Sequence, residues 1–336
     1  MSEHQIIHKH YRSFFWPIML IGAGVIWLLS NLNIVPTENL WILFRLWPVL
    51  IIIAGLDVLF ANRLPVIGAL LGLLVIAGVV YILFMGANLG IETAPKPKTE
   101  TFTVEVGNTT TADFDLNLSV QAATIHSLTD STNLVTAEIG HLGEVKFIVT
   151  GGEEKEIDLK QVGIEAWYAW FLPEVEDEDL VWDIGLSPKV PFDLDVEASI
   201  GHSELDLADI KLERFQFNGS TGASTIILPA SSEGYETQIE ASTGALEIIL
   251  PSESDLTIRL DASTGRVVFD VPEGAAVQVQ VRDGGSGDLL TPSWITKVSG
   301  KEGRDEGVYQ TEGFENANYQ LVIIIEDIGT GNIVIE

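Results

Sequence analysis

Apolar residues fill three long runs near the start of the chain, then give way to an alternation of apolar and polar residues. The runs cover about 14–32 (FFWPIMLIGAGVIWLLSNL), 40–60 and 64–85. A helix needs about 20 apolar residues to cross a hydrocarbon core of about 30 Å, so the pattern predicts three membrane-spanning helices within 14–86. The third run is the purest. Between Val66 and Phe84 it has thirteen Leu, Ile, Val or Phe and no charge, each contributing about -0.3 to -0.6 kcal/mol on insertion. The second run contains Arg45 and Asp57, both near its ends, where side chains reach the interface. No small-x-small cleavage site follows the first run, so it reads as a retained helix and not a signal peptide. Residues 87–100, with Pro95 and Pro97, read as an extended linker. From Thr101 the period is two, as in FTVEV, FDLNLSV, VKFIV and EIDLK, which predicts strands.

Within this all-β part, 101–192 shows no clear repeat, whereas 193–336 opens on one. VEASIGHSELDL, FNGSTGASTIILP, IEASTGALEIILP and LDASTGRVVFDVP align on Gly201, Gly222, Gly244 and Gly265, a period of 21 to 22 residues. Val196, Phe217, Ile239 and Leu260 stand five residues before the glycine; Leu205, Ile226, Ile248 and Phe269 stand four after it. Each unit is therefore a strand, a Ser-x-Gly turn and a second strand. Ordering about 21 residues costs about 1–2 kcal/mol each, more than six buried side chains return at about 1.5–3 kcal/mol apiece. The units must stack, and the expected architecture is a β-solenoid-like pile of rungs. VQVQVRDGG (277–285) reads as a divergent rung, 286–316 as a Gly-rich charged loop, and YQLVIIIEDIGTGNIVIE as closing strands that form a terminal cap.

Charge separates the two parts. Residues 1–90 hold four basic and three acidic residues, a net of +1, so the chain's -30 leaves -31 for the remainder. So acidic a domain repels phosphate backbones, which argues against nucleic acid as a partner. Cysteine is absent, which removes thiol catalysis and thiolate metal sites. Lys9, Arg12 and Arg63 place residues 1–13 in the cytoplasm by the positive-inside rule, and three crossings then put the β domain on the extracytoplasmic side of a multi-pass cell-membrane protein.

Trp16-Pro17 with Ala23-Gly24, and Trp47-Pro48 with Ala54-Gly55, make the first two helices look like copies of one unit. This double Trp-Pro hairpin resembles the LiaI/LiaF-like transmembrane region of bacterial envelope-stress proteins. The stretch from about 102 to 272, with FDLNLSVQAATIHSL, NLVTAEIG and VPFDLDVEASIGHSELDLADIKLERFQFNGSTGASTIILP, is similar to the toast-rack β domains often joined to it. The resemblance implies a non-enzymatic accessory or regulator in envelope-stress sensing, with the lipid bilayer and a membrane or envelope protein as partners. The odd number of spans departs from a hairpin-only anchor. A surface binding or adhesion module is the alternative.

Candidate chemistry is sparse. His4, His8 and His10 would make at most a weak metal site, and the acidic run Glu174–Asp179 lacks the spacing of a calcium loop. Ser286 has Asp288 where a nucleophile elbow needs glycine. Ser199, Ser220, Ser242 and Ser263 recur in register with no base beside them, so they read as a hydroxyl ladder. No catalytic residue, metal or cofactor is assigned. Trp167, Tyr168, Trp170 and Trp182 are the candidate contact surface for a glycan or protein partner, or equally the buried end of the stack. Gly68 and Gly72 form a GxxxG that permits close helix packing, within the chain or in a homo-oligomer.

Overall fold

The computed structural model describes residues 15–32, 34–35, 47–60, 65–85, 97–118, 122–129, 132–162 and 180–336, with side chains of 57–60 and 65–68 outside that set. The chain divides into a helical unit within 1–96 and a β unit over 97–164 and 176–336.

The helical unit contains α1 (Phe15–Asn31), α2 (Trp47–Phe60) and α3 (Pro65–Met85). Pro17, Pro48 and Pro65 stand in the first turn of each, where no intrahelical N–H is required. α1 turns Phe15, Gly22, Ile26 and Ser30 inward, positions one helical face apart. That face meets α3. A Cβ at Gly22 would collide with the Ile76 side chain, and one at Gly72 would sit 3.3 Å from Ile18 Cγ2. The remaining surface is apolar all round, with Leu20, Ile21, Trp27, Ile51, Leu70 and Leu74 exposed, as in a helix group that needs a non-aqueous surround. Among the described residues no helix is both long and apolar enough to cross a membrane. α1 has 17 residues, α2 has 14, and the described side chains of α3 begin at Ala69. The second apolar run was expected from residue 40; described helix begins at Trp47.

Among the described residues the β unit is one continuous sheet of nineteen strands, bent into two layers around one core. The bend shows in β10 (Leu212–Ile227): its inward positions are odd at Phe215 and Phe217, then even at Ile226, a parity that Leu228 just beyond the strand continues. β11 (Glu236–Ile249) repeats the switch between Ile239 and Leu246. Both arms thereby aim their apolar side chains at the same interior. Neighbouring rungs pair in parallel at the repeat spacing, Phe217 beside Val196 and Ile239, Ile226 beside Leu205 and Ile248.

Eight rungs stack among the described residues, and their spatial order is not their chain order. The rung of β2 (Thr111–Leu118) and β3 (Ala122–Ser127) lies between that of β6 (Glu154–Val162) and β7 (Val181–Leu186) and that of β8 (Phe192–Ala198) and β9 (His202–Asp206). Then follow β10, β11, and the rung of β12 (Leu256–Ala262) and β13 (Arg266–Asp270). Next comes the rung of β18 (Leu321–Asp327) and β19 (Asn332–Ile335), and outside it β14 (Val277–Val281) with β15 (Asp288–Leu290). Residues 321–335 are thus not a cap. They fill a slot between 256–270 and 277–290, because β18 offers backbone partners to β12 on one side and β14 on the other. Nor is 286–316 a loop: besides β15 it holds β16 (Ile295–Gly300) and β17 (Gly307–Thr311).

Antiparallel strands close the pile. β4 (Asn133–His141) pairs with β7 and carries β1 (Lys98–Glu105); β5 (Glu144–Gly151) pairs with β6. β17 pairs with β14 and carries β16. The expected linker therefore ends earlier than residue 100, since Lys98 already belongs to β1.

At the bend the glycines stack. A Cβ at Gly222 would overlap the carbonyl of Gly201, one at Gly244 that of Gly222, and one at Gly265 that of Gly244. The column continues to Gly331 over Gly265 and to Gly287 over Gly331. Gly222 also has φ of 136°, a conformation that side chains with a Cβ rarely adopt.

Candidate functional site

Of the four aromatic residues proposed for contact, Trp182 is fully buried, and its indole N–H donates to the Gly140 carbonyl at 3.1 Å. It offers no face to a glycan, because inward position on β7 and a satisfied N–H fix it in the core. Trp167, Tyr168 and Trp170 lie outside the described residues, as do His4, His8, His10 and Glu174–Asp179. Gly72 packs on α1 of the same chain, while the surroundings of Gly68 lie outside the described set.

Ser220, Ser242 and Ser263 are exposed at the bend, and Ser199 is half-buried. Here the backbone forms the ladder: Thr221 N–H donates to Ser199 O at 3.0 Å, Thr264 N–H to Ser242 O at 2.7 Å, and Thr330 N–H to Ser263 O at 2.7 Å. These serines serve turn geometry. His126 Nδ1 is 3.2 Å from Asp183, and buried His141 lies 3.5 Å from Glu100; neither joins a nucleophile. Among the described residues no group of three or more His, Asp or Glu converges to hold a metal ion.

Two surfaces stand out. The first is an acidic grid on the outer face of one layer. Parallel register places Glu156, Asp113, Asp193 and Arg214 in one row, and Asp158, Asp115, Asp195 and Gln216 in the next. Strands about 4.8 Å apart bring these carboxylates within strong repulsion. Lys160 pairs with Asp158 at 2.8 Å and Arg214 with Asp193 at 3.5 Å, which offsets only part of it. Partial burial, then neighbouring Asp115, push the Asp113 carboxyl above its ordinary range despite Arg214, and the same two causes raise Asp195. Further along, burial and Asp327 raise Asp261.

The second surface is a groove at the β16 end of the stack. Trp294, Thr296 and Val298 form one wall, Ala275 and Ala276 face them, and Glu273, Glu312 and Glu336 supply carboxylates. Trp294 and Val298 remain 45 % and 52 % exposed. Sequence reasoning missed this groove because it assigned 286–316 to a loop. The alternation of Trp294, Thr296 and Val298 around buried Ile295 was the available signal.

A helical unit clad in outward apolar side chains is carried on one chain with a large stacked all-β unit. Residues 14–59 match the family model of the LiaI-LiaF-like transmembrane region, and residues 93–249 match that of the N-terminal domain of toast_rack. Both parts of the resemblance drawn from the sequence therefore hold. No curated relative matches the chain. Among solved structures, a candidate cell adhesion protein from Clostridium sporogenes is similar at 18 % identity, covering 71 % of this chain and 99 % of that one, with a TM-score of 0.45. A candidate adhesin from Bacteroides fragilis is similar at 9 % identity, over 72 % and 97 % of the two chains, with a TM-score of 0.33.

Proposed function

We propose that this is a multi-pass, non-enzymatic protein of the cell envelope, anchored by three spans, whose extracytoplasmic β unit regulates or assists envelope-stress sensing through protein contacts. The observation that carries the reading is the joining, on one chain, of a LiaI-LiaF-like transmembrane region to a toast_rack domain. The lengths of the apolar runs add to it: α3 extends 21 residues, about 31 Å at 1.5 Å per residue, the thickness of a hydrocarbon core. The β unit contributes a surface of negative field and a groove that combines apolar side chains with carboxylates, which suit recognition.

Single cysteines at Thr37 and at exposed Ser232 test the topology in intact cells. Labelling of both by a membrane-impermeant maleimide is expected. Labelling of Ser232→Cys only after lysis would place the β unit in the cytoplasm and overturn the extracytoplasmic reading. Deletion of the gene is expected to change the output of an envelope-stress reporter after cell-wall challenge; an unchanged response would remove the stress role.

A further inference from the structure

We propose that the loop end of the last rungs is a docking cleft for a lysine- or arginine-bearing segment of a partner protein, laid across the strand ends between Tyr319 and Trp294. The inference rests on the reading that the β unit works through protein contacts, and it names the chemistry of the partner.

Strand register sets out the cleft. Leu256, Leu321, Val277, Thr311 and Ile295 stand on one line across β12, β18, β14, β17 and β16, with the Val277 N–H donating to the Thr311 hydroxyl at 3.1 Å. Strands about 4.8 Å apart make that line about 19 Å long. Two hollows lie along its loop end, and the residues common to both are Gly274, Ala275, Ala276 and Ala317, none larger than alanine. Tyr319 lines one hollow and Trp294 the other, and they are 39 % and 45 % exposed. Three strand spacings, about 14 Å, separate β18 from β16. A ligand that touches both rings is therefore an extended segment of at least about four residues, at about 3.3 Å each.

Charge specifies the occupant. Glu253 lines the first hollow and Glu273, Glu312 and Glu336 the second, and among the described residues neither lining includes Lys or Arg. Glu253 is also the one non-glycine residue with positive φ, 54°, among the described residues. The neighbouring Ser254 fixes this loop: its hydroxyl donates to the Ser231 carbonyl at 3.0 Å and accepts from the Ser231 N–H at 2.9 Å. Glycine or asparagine suits such a left-handed position best; here the position sets a carboxylate beside the cleft. Carboxylates near half-exposed aromatic rings fit ammonium or guanidinium groups, which pair with the former and lie over the latter. Trp and Tyr are also the common anchors of protein contacts, which favours a polypeptide over a free amine. A second copy of the chain does not fit, because residues 91–336 carry -31, the chain's -30 less +1 for 1–90, and repel their like. Anionic lipid headgroups are turned away by the same field.

The test uses the full chain in detergent micelles and a short peptide of alternating lysine and leucine that carries a neutral fluorophore, with binding read by anisotropy. Glu273→Gln with Glu312→Gln is expected to weaken binding at least about tenfold, a loss of about 1.4 kcal/mol. Trp294→Ser with Tyr319→Ser is expected to weaken it as well. Asp113→Asn with Asp195→Asn, in the acidic grid, is expected to change it less than about twofold, since exposed charges beyond a Debye length are screened. The chain has no cysteine, so Ser293→Cys places a single thiol on the cleft lining. The peptide is expected to slow its reaction with a maleimide and to leave that of Ser232→Cys unchanged. Equal slowing at both positions, a grid variant that weakens binding as much as the glutamate pair does, or equal binding of a leucine-glutamate peptide would each overturn the proposal. So would a neutral N-acetylglucosamine tetrasaccharide that protects Ser293→Cys where the lysine peptide does not, since the cleft would then be a glycan site. These micelle measurements are independent of labelling in cells and of the stress reporter, so the membrane reading stands or falls separately.

Discussion

The glycine column sets the tightest requirement at the scale of single residues. At Gly222 a methyl group meets the Gly201 carbonyl and the backbone holds φ at 136°, so strain and overlap add. Gly222→Ala is expected to cost about 3 kcal/mol, lowering the melting midpoint by about 6–12 °C. Gly152→Ala, where a Cβ meets nothing within 4 Å, is the matched control and is expected to stay within about 0.5 kcal/mol. Equal melting of the two variants would mean that the column does not constrain the bend. Trp182→Phe leaves the Gly140 carbonyl without its indole donor and opens a small void, at a cost of about 2 kcal/mol. A variant as stable as the parent would show that water or a neighbour replaces that bond. Burial at this scale was hard to anticipate: Trp182 stands three residues beyond the acidic run in sequence, yet its position on β7 points it inward.

Rungs and strands explain most of what the sequence revealed and what it hid. In four copies the glycine stands five positions after the large inward side chain, Val196, Phe217, Ile239 or Leu260, and these four stack in the register their alignment predicts. The last two rungs keep six, Ile325 to Gly331 and Val281 to Gly287, and they match each other. The extra residue is taken up where the register shifts between Leu260 and Asp261. An alignment on constant spacing passes over them for that reason, although their glycines occupy the same column. Rung order was equally illegible, because alternating apolar strands of similar length will accept one another and only the finished core selects among them.

The acidic grid belongs to this scale too. Asp113, Asp195 and Asp261 have carboxyls raised above 3.8 by burial and neighbouring charge. A raised native value means that the folded state binds the proton more tightly than the unfolded chain. The destabilisation is then full above the raised value and fades as pH falls through it toward 3.8. The triple variant Asp113→Asn, Asp195→Asn, Asp261→Asn is expected to melt above the parent at pH 7, by up to about 0.5 kcal/mol per site given solvent screening. That advantage should vanish near pH 4. A variant that melts lower at pH 7 would show that attraction to Arg214 outweighs burial.

For the whole β unit, the slot filled by 321–335 decides cooperativity. Deleting 321–336 strips β12 and β14 of their shared neighbour and uncovers the side chains packed beside it, Ile258, Leu260 and Val279, all buried at present. Each costs about 1.5–3 kcal/mol to uncover, a sum comparable to the stability of a typical domain. The truncated protein is expected to lose its single melting transition and to exchange amides rapidly over 256–290. Retention of one sharp transition would show that β14 can close directly on β12.

Chain growth gives that slot a further consequence. The ribosome makes 256–270 and 277–290 first, and each must wait with an open side until the strands that separate them emerge. A message that ends early, or a protease that clips after residue 290, therefore yields a product with two unsealed sheet faces rather than a slightly shorter domain. The interleaved order therefore ties the sealing of two earlier rungs to strands made after both of them.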